Sequence, residues 1–128
     1  ASARARRALI TRWNALKNAT AGRATRMPIA VAHGEGFANF ARRGDPARVG
    51  AALRFTDNHG RATEAYPFNP NGSAGGLTAV TTPDGRFTAM MPHPERVFRN
   101  LQLSWTDQPR DHHSPWMELW HNARRWVG

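Results

Sequence analysis

The stretch "LTAVTTPDGRFTAMMPHPERVF", Leu77 to Phe98, decides how the chain is to be read. Two short β-type runs, "LTAVTT" and "RFTAMM", flank a "PDG" whose proline and glycine suit a tight turn. The pattern predicts a β-hairpin. Its second strand delivers the chain to His93, set between Pro92 and Pro94 and followed two residues later by Glu95. The prolines hold φ near about −65° and keep the residues before them out of helix, so this segment is stiff. If extended geometry carries through, His93 and Glu95 share a face. A carboxylate at Nδ1 then fixes the tautomer and leaves Nε2 as a base, and a positioned base is worth roughly 100- to 10,000-fold in rate. The same residues also fit a plainer role, a strand end followed by an acid at a helix start.

Upstream, "PIAVAH" reads as a short buried strand ending at the "HGEG" turn, His33 to Gly36. "VGAALRFTD", "NHG" and "RATEAY" predict two strands around a turn in which Asn58 and Gly60 suit positive φ. "PFNPNGSAGG", Pro67 to Gly76, is too rich in Pro, Asn and Gly for regular structure. Downstream, "ERVFRNLQ" can form a short helix, and Ser114 with Pro115 resembles an N-cap with proline at the first helical position. Trp116, Leu119, Trp120, Ala123 and Trp126 then recur at helical spacing, which predicts one apolar stripe against the core. His112 and His113 fall in a polar loop and are expected to be solvated.

The 128 residues fit one domain with a modest core, at 40% apolar content and a mean hydropathy of −0.64. No apolar run approaches the roughly 20 residues of a membrane span, and no secretory leader is recognisable, so the expectation is a cytoplasmic chain. Zero cysteines exclude a disulfide, thiolate-bound zinc or a thiol nucleophile supplied by these residues. The net charge of +9 is lopsided: residues 1–26 carry Arg4, Arg6, Arg7, Arg12, Lys17, Arg23 and Arg26 and no acid, which is +7 of the total. Leu9, Ile10, Trp13 and Leu16 fit a short amphipathic helix in that segment, which is expected to be non-native or disordered relative to the body. A small basic nucleic-acid-binding protein using this segment is the alternative reading, weakened by the lack of interleaved aromatics for base stacking. A metal site from His33, Glu35, His93 and Glu95 is conceivable by ligand type, but no ligand spacing supports it and none is expected.

Four segments, "MPIAVAHGEG", "LRFTDNHGRATEAYPFNPNGS", "GLTAVTTPDGRFTAMMPHPERVFR" and "SPWMELWHNARRWVG", closely resemble the C-terminal end of the large phosphoribosylformylglycinamidine synthases of purine biosynthesis, from about Met27 to Gly128. The resemblance implies the C-terminal half of a flavodoxin-like α/β class I glutamine amidotransferase domain, with β-hairpins and a C-terminal helix. It implies L-glutamine as substrate and release of ammonia to an ATP- and magnesium-dependent synthetase part, which makes an amidine from formylglycinamide ribonucleotide. It places the triad histidine on His93 and the triad glutamate on Glu95, and a glutamine-pocket loop on His33, Gly34 and Glu35. The family's nucleophilic cysteine lies before the region matching Met27, where these residues carry none. The expectation is therefore a C-terminal fragment, truncated or out of frame at its start, inactive alone, with an exposed sheet edge; supply of the missing half by another polypeptide is the competing account.

Overall fold

A computed structural model describes residues 6–11, 26–31 and 36–128. Among these residues five strands form one sheet: β1 (Arg6–Thr11), β2 (Arg26–Val31), β3 (Gly50–Thr56), β4 (Leu77–Thr81) and β5 (Thr88–Met90). Their order is β2-β1-β3-β4-β5, every pair is antiparallel, and β2 and β5 are the edges. An α-helix, α1 (Glu118–Val127), follows near the C-terminal end. The architecture is mixed α/β, with the expected hairpin and C-terminal helix.

The hairpin of β4 and β5 forms as its sequence dictates. Val80 pairs with Ala89, Thr82 N donates to the Phe87 carbonyl at 2.9 Å, and Gly85 takes φ +75° in the turn. The Asp84 carboxylate, held below its ordinary range chiefly by the Thr82 hydroxyl and then the Arg86 amide, ties the turn together. Upstream, the predicted second strand over "RATEAY" is absent: Thr56 bridges Ala62 alone, and Thr63 N donates to Phe55 O. The Asp57 carboxylate accepts from His59 N and Arg61 N instead, which curls the chain into a turn and ends the ladder.

The N-terminal helix expectation is corrected. Leu9 and Ile10 lie in β1, whose ladder runs against β2 from Arg6↔Val31 to Thr11↔Arg26 and against β3 from Leu9↔Thr56 to Thr11↔Arg54. Helical spacing was a local signal, and ladder bonds to β2 along the whole of β1 and to β3 over Leu9–Thr11 outweigh it. Trp13 and Leu16 lie outside the described residues.

Packed on the sheet, Met27, Ile29, Leu53, Phe55, Val97 and Trp116 form the centre of the core. Leu53 and Phe55 are essentially inaccessible, and each such side chain contributes about 1.5–3 kcal/mol by leaving water. Irregular β3–β4 register around Leu53 allows Ala52 and Leu53, adjacent in sequence, both to be buried. "ERVFRNLQ" does not make a continuous helix: Pro94–Arg96 and Asn100–Gln102 are separate 3-10 turns. The intervening backbone is claimed by the loop that follows, since Ser114 N donates to Phe98 O and Asn100 N to His112 O.

The tryptophan stripe is also corrected. Only Trp116 is buried, with its indole N–H on the Pro28 carbonyl at 2.9 Å, while Trp120, Ala123 and Trp126 are exposed. The first turn of the helical segment seats on the sheet, and α1 then runs out past the core. His112 and His113 are exposed, as expected. Among the described residues no helix is long and apolar enough to cross a membrane.

Candidate functional site

β5 ends at Met90, so strand alternation is not what unites His93 and Glu95. Met91 N still donates to Thr78 O, holding the chain beside β4 until Pro92. Pro92 and Pro94 are buried and His93 between them is half-exposed, with φ −109° and ψ 85°. Glu95 stands in the first turn of the Pro94–Arg96 3-10 segment, closed by Arg96 N to His93 O and Val97 N to Pro94 O. That turn swings the carboxylate back onto the imidazole: His93 Nδ1 and Glu95 Oε1 are 2.6 Å apart. The buried prolines anchor both sides of the histidine while its ring stays accessible, at 42% side-chain exposure.

The protonation pattern follows from the acid. Glu95 lies below the ordinary glutamate range, first because its own backbone N–H bonds its carboxylate, and next because the His93 imidazole does. An ionised carboxylate can only accept, so Nδ1 carries the hydrogen and, in the neutral form of an imidazole so oriented, Nε2 keeps its lone pair. Arg96 Nε, 3.9 Å from Glu95 Oε1, adds a weaker favourable charge. A second histidine–glutamate pair shows the contrast. His121 and Glu118 on α1 are 3.3 Å apart at i,i+3 spacing, with no flanking proline and with Glu118 shared with Arg125.

Ser114 braces the turn from behind. Its hydroxyl donates to the Val97 carbonyl and accepts from Trp116 N at 3.2 Å, so the cap of the C-terminal helical segment is bonded directly to the turn bearing Glu95. Sequence reading found the cap but not this link across 17 positions.

His33, Gly34 and Glu35 lie outside the described residues. Gly36, the last residue of "HGEG", is held by Asn71 Nδ2 on its carbonyl at 2.7 Å, and Ala38 N donates to Ser73 Oγ at 3.0 Å. Asn69 ties this loop together, donating to Thr63 O and Ser73 O while accepting from Gly72 N. Asn69 and Ser73 are buried, so "NPNGS" is an ordered clasp on the segment leaving "HGEG". The Asn and Ser side chains that mimic backbone turns were the signal for it. Among the described residues, no three His, Asp or Glu groups converge on a candidate metal position.

The chain as a whole has a counterpart among known protein families. Residues 9–127 match the family model of the CobB/CobQ-like glutamine amidotransferase domain. The chain belongs to this family. As a glutamine amidotransferase domain it includes β1 from Leu9 onward, as well as the body beginning at Met27.

Proposed function

We propose that His93 is the general base and Glu95 its orienting acid in the hydrolysis of the glutamine side-chain amide. The carrying observation is the 2.6 Å contact from Nδ1 to a carboxylate held ionised, which leaves Nε2 as the acceptor. A cysteine thiol with an ordinary pKa of about 8.5 is only a few per cent thiolate at neutral pH, so an imidazole that takes its proton raises the nucleophile's concentration. The thiolate adds to the amide carbon. His93 returns the proton to nitrogen, ammonia leaves, and water cleaves the thioester with the same base, giving glutamate. The 128 residues contain no cysteine, so the nucleophile in this reading belongs to polypeptide outside them, and the chain alone hydrolyses no glutamine.

The finer reading is a phosphoribosylformylglycinamidine synthase, in which the ammonia passes to an ATP- and magnesium-dependent synthetase part. It is supported by the four long sequence segments from Met27 to Gly128, in order, and by the family match over residues 9–127. The test is reconstitution with the cysteine-bearing part of such a domain, in trans or fused upstream, with glutamate release as readout. His93→Ala is expected to lower the rate about 100- to 10,000-fold, the range for loss of a positioned base. Equal rates with and without the imidazole would remove His93 from the mechanism.

A further inference from the structure

Arg54 lies on β3 across from Leu77 of β4. It is half-buried, and its Nη1 donates to the Gly75 carbonyl at 2.5 Å. A guanidinium has five N–H donors, and among the described residues only the Gly75 carbonyl takes one from Arg54. Glu64 bonds the same residue, its Oε1 accepting from Gly75 N at 2.6 Å, but among the described residues no acid lies within ion-pair distance of Arg54. Arg54 lines a cavity of about 510 Å³ with Phe37, Phe40, Pro46 and Leu77 among its walls. A cation beside apolar walls attracts an anion more strongly than it would in open water.

A second hollow of about 200 Å³ shares Phe37, Phe40 and Leu77 and extends to Met91, two residues before His93. Thr78 is among its walls. Arg54, Leu77 and the chain entering Pro92 lie in a row across three strands, because Arg54 pairs with Leu77 and Met91 N holds Thr78 O. Two strand spacings separate the ends of that row, about 10 Å between backbones. For one glutamine to span this gap the Arg54 and His93 side chains must reach towards each other, since its α-carboxylate and side-chain amide carbons are roughly 5 Å apart when extended.

We propose that Arg54 binds the α-carboxylate of glutamine, directing the side-chain amide along the groove towards His93; this rests on the glutaminase reading above. A planar guanidinium meets a carboxylate through two parallel N–H bonds, which gives direction as well as charge. Ligands lacking the α-carboxylate are therefore rejected.

The test uses the 128-residue chain with ¹⁵N-labelled arginine, titrated with L-glutamine and with its α-amide. The Arg54 Nε–H signal is expected to move saturably with glutamine, at an apparent Kd about ten-fold or more below that of the α-amide, the loss that removing one charged hydrogen-bond partner produces. Arg54→Met should abolish this response and Arg54→Lys should weaken it, each variant first shown to keep the backbone spectrum of the parent. Equal binding of the α-amide, an unchanged response in Arg54→Met, or no saturable shift at Arg54 would overturn the assignment. The reconstituted enzyme separates the two readings. If His93-dependent hydrolysis proceeds and Arg54→Met leaves KM for glutamine unchanged, the carboxylate site alone fails. If Arg54 titrates as described but His93→Ala leaves hydrolysis intact, the glutaminase role of His93 fails and the site stands.

Discussion

Ser114→Ala tests whether the C-terminal cap and the His93–Glu95 turn form one structural unit. The hydroxyl makes two bonds in a buried setting, donating to Val97 O and accepting from Trp116 N. Losing the cap costs about 1 kcal/mol. Stranding the carbonyl of Val97, itself a core residue, costs about a further 1–3 kcal/mol. The total, about 2–4 kcal/mol, is a large share of the roughly 5–15 kcal/mol that holds a domain folded. With a urea slope of about 1–2 kcal/mol per molar, the unfolding midpoint should fall by roughly 1–4 M. Tryptophan fluorescence reports it directly, since Trp116 is buried next to the substitution. Ser114→Thr keeps the hydroxyl and should lose much less. A Ser114→Ala midpoint within about 0.3 M urea of the parent would mean that these two bonds add nothing and that the turn stands without the cap.

Two further outcomes follow from the same geometry. Because the folded-state pKa of Glu95 is depressed, its pairing with His93 is complete at neutral pH and is lost as pH falls through that depressed value. A ¹³C titration of the Glu95 carboxyl should therefore have its midpoint below the ordinary glutamate range and move only part of the way back in His93→Ala, since the larger cause is the residue's own backbone N–H; a midpoint at or above the ordinary range would contradict the pairing. Gly76→Ala should destabilise much more than Gly72→Ala. Both have positive φ, but a Cβ at Gly76 would lie 2.8 Å from Phe55 O and 2.9 Å from Thr63 O, whereas at Gly72 nothing lies within 4 Å. Urea unfolding should show about 1 kcal/mol for Gly72→Ala and at least twice that for Gly76→Ala, and equal losses would show that the backbone near Thr63 yields.

The sequence by itself determined the features whose causes are local. The Leu77–Met90 hairpin needs alternating β-type residues and a Pro-Asp-Gly turn, and the helix start needs only Ser114 and Pro115 in adjacent positions. The closeness of His93 and Glu95 was legible too, although the connecting geometry is a 3-10 turn and not a continued strand. What only the tertiary structure decided involves partners far apart in the chain. β1 is a strand because β2 pairs with it along its whole length and β3 over Leu9–Thr11, which helical spacing in an arginine-rich segment cannot reveal. Of the tryptophans at helical spacing in the C-terminal segment, Trp116 alone is buried, because the Pro28 carbonyl and the sheet lie beneath it and the helix then runs past the core. Arg54 reads in sequence as one more basic residue on a strand. Its place in an apolar-walled cavity in line with the approach to His93 depends on strand order, and strand order is settled by which hydrogen-bonding edges and apolar faces can be buried together.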